Sequence, residues 1–415
     1  MKVLWITNVM FPRLAQKLGQ TKTSIGGWTY SAAEELKRWA EVELGVATVY
    51  QGEGVQSLQI DGITYYLIPY KKTKVDYDPS YEENCRKVRD MFCPDVVHIY
   101  GSEYPISLAY VRGCGNNNVI LSLQGIPSKY TRYFYSGMSI RNILRSFPLL
   151  LQKRRFDSNN RNEVELLSKV RYFEGRSEWD YSMVWSYNVN LKYYFCSRTL
   201  RNSFYEHQWD IAQIQRHSIF LSQAQYPIKG FHEVIKALPY IIRIYGDVKV
   251  IVAGDSPIQR NGLREYIKYL GYGRYLKDLI AKYGLADHIE FVGNQSEEQI
   301  CERYKSAHVF VCPSSIENVP NSLAEAQMLG VPSIASFVGG NNSLVEHGKT
   351  GFLYRFEEPE VLAKYICEIF GNDDLALKLS KAGRECALKR HDKKNNISTL
   401  IDMYKDIIKR KNENT

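Results

Sequence analysis

The chain has 415 residues, 44% of them apolar and 24% charged, with 54 Lys and Arg against 45 Asp and Glu for a net charge of +9. That length exceeds one core and fits two domains of about 200 residues, and the composition excludes wholesale disorder and collagen-like or low-complexity classes. The longest apolar stretches, such as Phe147–Leu151, fall far short of the roughly 20 residues that cross a bilayer.

Met1–Asn8 lacks the apolar run of a secretory leader and reads as a buried first strand, Val3–Thr7. Further strands are predicted at Gly45–Tyr50, Ile63–Ile68, Val96–Tyr100 and Val119–Gln124, with helices at Thr29–Trp39, Tyr81–Met91 and Tyr104–Arg112 between them. Short apolar strands alternating with amphipathic helices imply a parallel sheet covered on both faces. Residues 138–170 read as helical, with no strand. After about residue 207 the alternation restarts, with strands at Ser218–Ser222, Val248–Ala253, Ile289–Val292, Val309–Cys312 and Ser333–Ala335 and helices at 231–245, 263–283, 296–305 and 321–329. At the end, Ile397, Leu400, Ile401, Tyr404, Ile407 and Ile408 form the i, i+3, i+4, i+7 stripe of a packed helix that needs a partner surface, for which the first domain is the candidate. The expected fold is therefore α/β: a doubly wound domain over 1–207, a second over 208–392 and a C-terminal helix over 393–415 returning to the first, with ligands at the carboxyl ends of the strands in a central cleft.

The eight cysteines show no CxxC and no His at zinc-finger spacing, which fits reduced thiols of a cytosolic protein and no metal site. Between Lys129 and Arg176 lie 11 Lys and Arg and 4 Asp and Glu, interleaved with Tyr130, Tyr133, Phe134, Tyr135, Phe147, Leu149 to Leu151 and Phe156. Such a segment suits an anionic membrane surface or an amphiphilic phosphorylated ligand; an ordinary solvated helix pair with a basic face is the alternative. No helix-turn-helix, RRM or zinc-finger pattern accompanies it, so no nucleic acid is expected as partner.

The most informative stretch is Val309–Ser333, which reads as strand, loop, helix, Gly stop and strand. Glu317 falls in the loop, Asn321 or Ser322 at the N-cap and Glu325 in the first turns of the helix, where carboxylates are favoured by the helix dipole and are also able to accept hydrogen bonds from sugar hydroxyls. Pro313-Ser-x-x-Glu317, Glu317-x7-Glu325 and Glu325-Ala-x-x-x-Gly330-x-Pro332 resemble the motif of retaining GT-B glycosyltransferases of the family 4 type, the glycosyl transferases group 1. That resemblance implies two Rossmann-like domains, Glu317 on the donor sugar and Glu325 on the nucleotide ribose.

Other pieces resemble the same family. Val338-Gly339-Gly340 resembles its Gly-Gly turn, whose amides approach the donor diphosphate, with the amino terminus of a helix before Leu344 adding to that field. Gly26-Gly27-Trp28 resembles the Gly-Gly that lines the cleft from the other domain, and Lys229 in Ser218–Gly230 resembles the diphosphate-binding Lys. Two departures stand out. The family's diphosphate Arg falls near Ala224, with Arg176 as the candidate replacement, and its His-Gly is Gln124-Gly125 here. Gly254, Phe291 and Gly293 mark the expected neighbourhood of the base, and Glu103, just past a strand end, is placed to reach an acceptor hydroxyl, whereas His98 reads as a core histidine.

The resemblance implies a hexosyltransferase-type enzyme that moves a sugar, with retention and without a metal, from a nucleoside-diphosphate sugar, UDP favoured over GDP, to a glycan or lipid-linked acceptor in cell-surface polysaccharide synthesis. It needs no separate cofactor, because the nucleotide-sugar is the substrate, and the expected location is cytoplasmic, peripheral on the inner face of the membrane. With the Arg and His missing, a non-catalytic sugar-nucleotide-binding subunit is the alternative, and a sugar-nucleotide epimerase of the same fold is a weaker one.

Overall fold

The computed structural model describes residues 1–19, 27–70, 77–259 and 262–413. The chain divides into two units, one of Met1–Lys129, Asp157–Arg201 and His391–Thr415, the other of Tyr130–Phe156 and Asn202–Arg390. Residues 130–156 thus group with the second unit, although they precede residue 207 in the chain.

The first unit is built on eight strands: β1 (Lys2–Ile6), β2 (Glu43–Tyr50), β3 (Gln56–Ile60), β4 (Ile63–Pro69), β5 (Val96–Tyr100), β6 (Val119–Ser122), β7 (Tyr172–Gly175) and β8 (Lys192–Phe195). Their order is β3-β4-β2-β1-β5-β6-β7-β8, and every pairing is parallel except β3 with β4. Strand side chains alternate between faces, so Leu4 and Ile6 enter one buried cluster, whereas Val3 and Trp5 enter the other. The helix Lys393–Glu413 closes the second of these clusters, burying Ile397, Leu400, Ile401, Met403, Tyr404 and Ile407 against the helix Gly27–Leu36 and β5. Each such side chain taken from water contributes about 1.5–3 kcal/mol. The Tyr404 hydroxyl accepts from Trp5 Nε1 at 3.0 Å and lies 2.7 Å from His98 Nδ1.

The second unit holds β9 (Ser218–Leu221), β10 (Lys249–Ala253), β11 (Ile289–Gly293), β12 (Val309–Cys312), β13 (Ser333–Ser336) and β14 (Phe352–Tyr354), in the order β11-β10-β9-β12-β13-β14 and all parallel. The chain runs outward from β9 to β11, then returns to place β12 beside β9. The carboxyl ends of β9 and β12 therefore flank the switch point at which such sheets bind ligands. In the first unit the equivalent place lies between β1 and β5.

Several elements depart from the sequence-based expectation. The helix predicted over 263–283 is two helices, Leu263–Lys268 and Arg274–Tyr283, broken where Gly271 takes a non-helical conformation (φ −81°, ψ −114°). The N-cap of the helix Asn321–Leu329 is Pro320, which makes no side-chain cap bond, rather than Asn321 or Ser322. The helix expected before Leu344 is a single 3-10 turn, Asn341–Ser343. Strands β3, β7, β8 and β14 were not predicted. All eight cysteines are free thiols, and among the described residues no helix is long and apolar enough to cross a membrane.

Candidate functional site

Two loops meet at the switch point of the second sheet. One follows β9 and runs through a 3-10 turn, Pro227–Lys229, to Gly230; the other follows β12 and carries Ser314 and Glu317. The Ser315 amide donates to the Ile228 carbonyl at 2.8 Å, tying the loops together. Gly230 takes φ +69°, and a Cβ there would stand 1.8 Å from the Pro313 carbonyl oxygen, so only glycine permits this approach.

Held in this way, Lys229 Nζ lies 2.6 Å from Glu317 Oε1, which also accepts from Ser314 Oγ at 2.8 Å. Burial by itself would lower the Lys229 pKa; the Glu317 carboxylate outweighs it and leaves the ammonium above its ordinary value. Lys229 is therefore a fixed cation. Ser222, Gln223 and Ser322 line the same small recess. Ser322 belongs to the first turn of the helix Asn321–Leu329. Glu325 is buried in that helix.

The turn after β13 packs against the Glu317 loop. Gly339 has φ +52°, and a Cβ on it would lie 1.8 Å from the Glu317 carbonyl oxygen. The Gly340 amide donates to that same oxygen at 3.1 Å. Gly339, expected to be bare so that a diphosphate can approach, is thus also required to be bare by its own packing on the Glu317 loop. Farther along the sheet, the Gly254 amide donates to the Gly293 carbonyl at 2.8 Å, and half-buried Phe291 meets Phe231 edge to face at 5.8 Å. Lys229, Glu317, Gly339 and Gly340 are therefore brought together, with Gly254, Phe291 and Gly293 at the neighbouring strand ends. Ala224 is wholly buried and brings no charge.

The remaining candidates belong to the first unit. Gly27 opens the helix Gly27–Leu36, and Gly26 lies outside the described residues. Gln124 sits half-buried in the loop after β6. Arg176 follows β7, and its amide donates to Asp180 Oδ2 at 3.1 Å; Asp180 itself forms a capping box with Ser177 at the start of the helix Glu178–Trp185. Glu103 follows β5, with Oε2 buried and without a hydrogen-bond partner, and burial pushes its carboxyl up to about 7. His98 is a core residue: burial lowers its pKa, with Glu174 Oε2 3.6 Å from its Nε2.

Sequence reasoning missed Ser314, although it stands three residues before Glu317, and Arg198. The Arg198 guanidinium is buried 3.9 Å from the Trp28 ring centroid, donates to the Leu123 carbonyl at 3.0 Å and is pushed down to about 9 by burial. Its signal was the neighbouring strand β8, which was itself unpredicted. Among the described residues no cluster of three or more His, Cys, Asp or Glu is arranged to hold a metal ion.

Residues 206–386 match the family described as glycosyl transferases group 1, so the resemblance carried by the Glu317–Glu325 stretch is borne out over that region. Spore coat protein SA of Bacillus subtilis is 29% identical over 180 residues, 43% of this chain and 45% of that protein, so the match spans less than half of the relative's length. Two solved structures share the fold across nearly the whole chain. Sucrose-phosphate synthase from Thermosynechococcus elongatus superposes with a TM-score of 0.71 at 16% identity, covering 98% of each chain. Anabaena HepE in complex with UDP and glucose does so with a TM-score of 0.66 at 16% identity, covering 97% of this chain and 99% of HepE. The fold is GT-B, each unit carrying one Rossmann-like sheet.

Proposed function

We propose that this protein is a retaining glycosyltransferase that moves a sugar from a nucleoside-diphosphate sugar, a UDP-sugar in preference to a GDP-sugar, onto a hydroxyl of a glycan or lipid-linked acceptor in cell-surface polysaccharide synthesis. One observation carries it: Lys229 and Glu317, 88 residues apart, form a 2.6 Å ion pair in a recess at the switch point, and the Gly339-Gly340 turn packs against the backbone of Glu317. Each charge keeps the other ready before substrate arrives. A donor divides the pair, with the ammonium turning to the diphosphate and the carboxylate, steadied by Ser314, accepting from sugar hydroxyls. Glu325 takes the ribose.

Bond cleavage then leaves growing negative charge on the departing diphosphate, which Lys229 and the amide of Gly339 stabilise in a site fixed beforehand, while the Gly340 amide, held by the Glu317 carbonyl, keeps the turn in place. The diphosphate oxygen accepts the acceptor's proton on the same face, so no protein nucleophile and no metal is required. Arg176 is the proposed second cation in place of the one missing at Ala224. Glu103, with a carboxyl near 7, is suited to orient an acceptor hydroxyl by a hydrogen bond while the proton passes to the diphosphate oxygen. Support for a UDP donor comes from the fold shared with HepE, whose structure holds UDP and glucose.

The test is nucleotide release from UDP-, GDP- and ADP-sugars in the presence of membrane-extracted acceptors, alongside thermal shifts with each nucleotide. Release that disappears in Lys229→Ala supports transfer. A thermal shift without turnover for any acceptor favours the sugar-nucleotide-binding subunit, the reading that buried, uncharged Ala224 recommends. Free epimer formed from donor alone would point to the epimerase, and no shift with any nucleotide overturns all three.

A further inference from the structure

Residues 130–156, which fold with the second unit, contain Arg132, Arg141, Arg145, Lys153, Arg154 and Arg155 and no Asp or Glu. The same stretch leaves large apolar side chains in water: Ile140 is 77% exposed, Leu144 68%, Phe147 63% and Leu151 49%. Ile140 and Leu144 are one turn apart on the helix Ile140–Leu144, and Phe147 and Leu151 one turn apart on the helix Phe147–Lys169. Leu151 and Ile267 line a common groove of about 340 Å³, and Leu263, 78% exposed, stands one turn before Ile267. Isolated exposed apolar residues are ordinary, but a run of them on adjoining turns marks an interaction surface.

We propose that this face, Ile140, Leu144, Phe147, Leu151, Leu263 and Ile267 with Arg141, Arg145 and Arg154 beside them, seats the protein on an anionic lipid bilayer. Charge complementarity selects the occupant. A second copy docked through the same patch would bring Arg141, Arg145 and Arg154 against the same three arginines with no carboxylate from residues 130–156 to offset them, whereas an anionic leaflet supplies negative charge at its surface and an apolar layer just below. The rest of the basic stretch does not take part: Leu166, Leu167, Val170 and Phe173 are core residues of the first unit, and Glu165 pairs with Arg112 and Lys169.

The face is fastened to the donor site's own framework. Ser146 Oγ donates to the Gly271 carbonyl at 3.1 Å, and the Gly137 carbonyl accepts from Tyr275 at 3.2 Å and from Lys236 at 3.4 Å. Lys236 stands on the helix Phe231–Ile242 that begins just after Lys229, and the groove's far wall is Gln225 and Tyr226. A membrane seat here lies next to the loop that carries Lys229.

The experiment is co-sedimentation of the full chain with vesicles of equal parts phosphatidylglycerol and phosphatidylcholine, and with phosphatidylcholine alone, at low and high salt. Wild type is expected to pellet with the anionic vesicles only, less so at high salt. At about 1 kcal/mol per surface cation, Arg141→Ala with Arg145→Ala weakens partition about thirtyfold; Phe147→Ser with Leu151→Ser weakens it about tenfold or more. Leu377→Ser with Leu388→Ser, exposed apolar positions elsewhere on the second unit, leaves it unchanged. Melting temperatures and the nucleotide-induced shift, measured on every variant, report folding and the donor site separately. Wild type left in the supernatant, equal binding to neutral vesicles, or variants that pellet like wild type overturns the proposal. So does a dimer that Phe147→Ser dissociates while no vesicle is bound.

Discussion

The Gly340 amide donates to the Glu317 carbonyl across 3.1 Å, and the missing Cβ of the preceding Gly339 is what lets the two loops come that close. The turn and the loop that carries the Glu317 carboxylate are thus one rigid piece, so damage to either displaces both. Gly339→Ala forces a Cβ into the Glu317 oxygen at a positive φ. We expect a loss of about 2 kcal/mol or more of stability together with the nucleotide-induced thermal shift. Gly348→Ala, at φ +74° with nothing within 4 Å of its Cβ, is the control; it costs about 1 kcal/mol of backbone strain and keeps the nucleotide shift.

Separating Lys229 from Glu317 by mutation has a predictable sign. Glu317→Gln strands a largely buried ammonium and costs about 3 kcal/mol, whereas Lys229→Met with Glu317→Leu removes both charges and recovers most of it. A double-mutant cycle on melting temperature measures the coupling. Lys229→Ala lowers kcat about 100-fold or more, the usual consequence of deleting one group that stabilises a developing anion.

Glu103 gives a pH signature. Its carboxyl sits near 7 in the folded chain because burial disfavours the charged form, against 4.5 ordinarily. The folded state therefore holds this proton where the unfolded state has released it, so stability from this group falls as pH rises from about 4.5 through 7. Glu103→Gln is expected to melt above wild type at about pH 8 and to converge with it near pH 4.5. If Glu103 also meets the acceptor, the same variant lowers kcat without changing the donor-induced thermal shift.

Tyr404→Phe deletes a hydroxyl that accepts from Trp5 Nε1 and lies against His98 Nδ1. Leaving these buried polar groups unpaired costs about 1–3 kcal/mol, read as a lower melting temperature at unchanged nucleotide binding, since the residue belongs to the first unit.

The strand Val309–Cys312 and the helix Asn321–Leu329 were legible to the residue because a short β-branched and aromatic run, a Pro and a C-terminal Gly punctuate them. Strand β3 was not, since Gln56–Ile60 is a mostly exposed edge strand held by its antiparallel neighbour and has no apolar run to announce it. Strand β14 is only three residues long. Lys229 and Glu317 were each visible in motif spacing, but their ion pair was not, because it depends on β12 returning beside β9. The helical character of 138–170 was also plain; that its first part folds with the second unit was not, since the pattern shows which face is apolar and not what covers it.

The returning helix Lys393–Glu413 has a consequence for biosynthesis. One wall of the first unit's buried cluster is supplied by residues translated after the whole of Asn202–Arg390. During synthesis the amino-terminal sheet must wait with Trp5 and Tyr100 lacking Tyr404 on that side, while the second unit, whose sequence is already out, is free to complete itself first. The order of maturation is then the reverse of the order of translation for the two units. The waiting interval, rather than the finished protein, is where chaperone capture or aggregation would strike hardest.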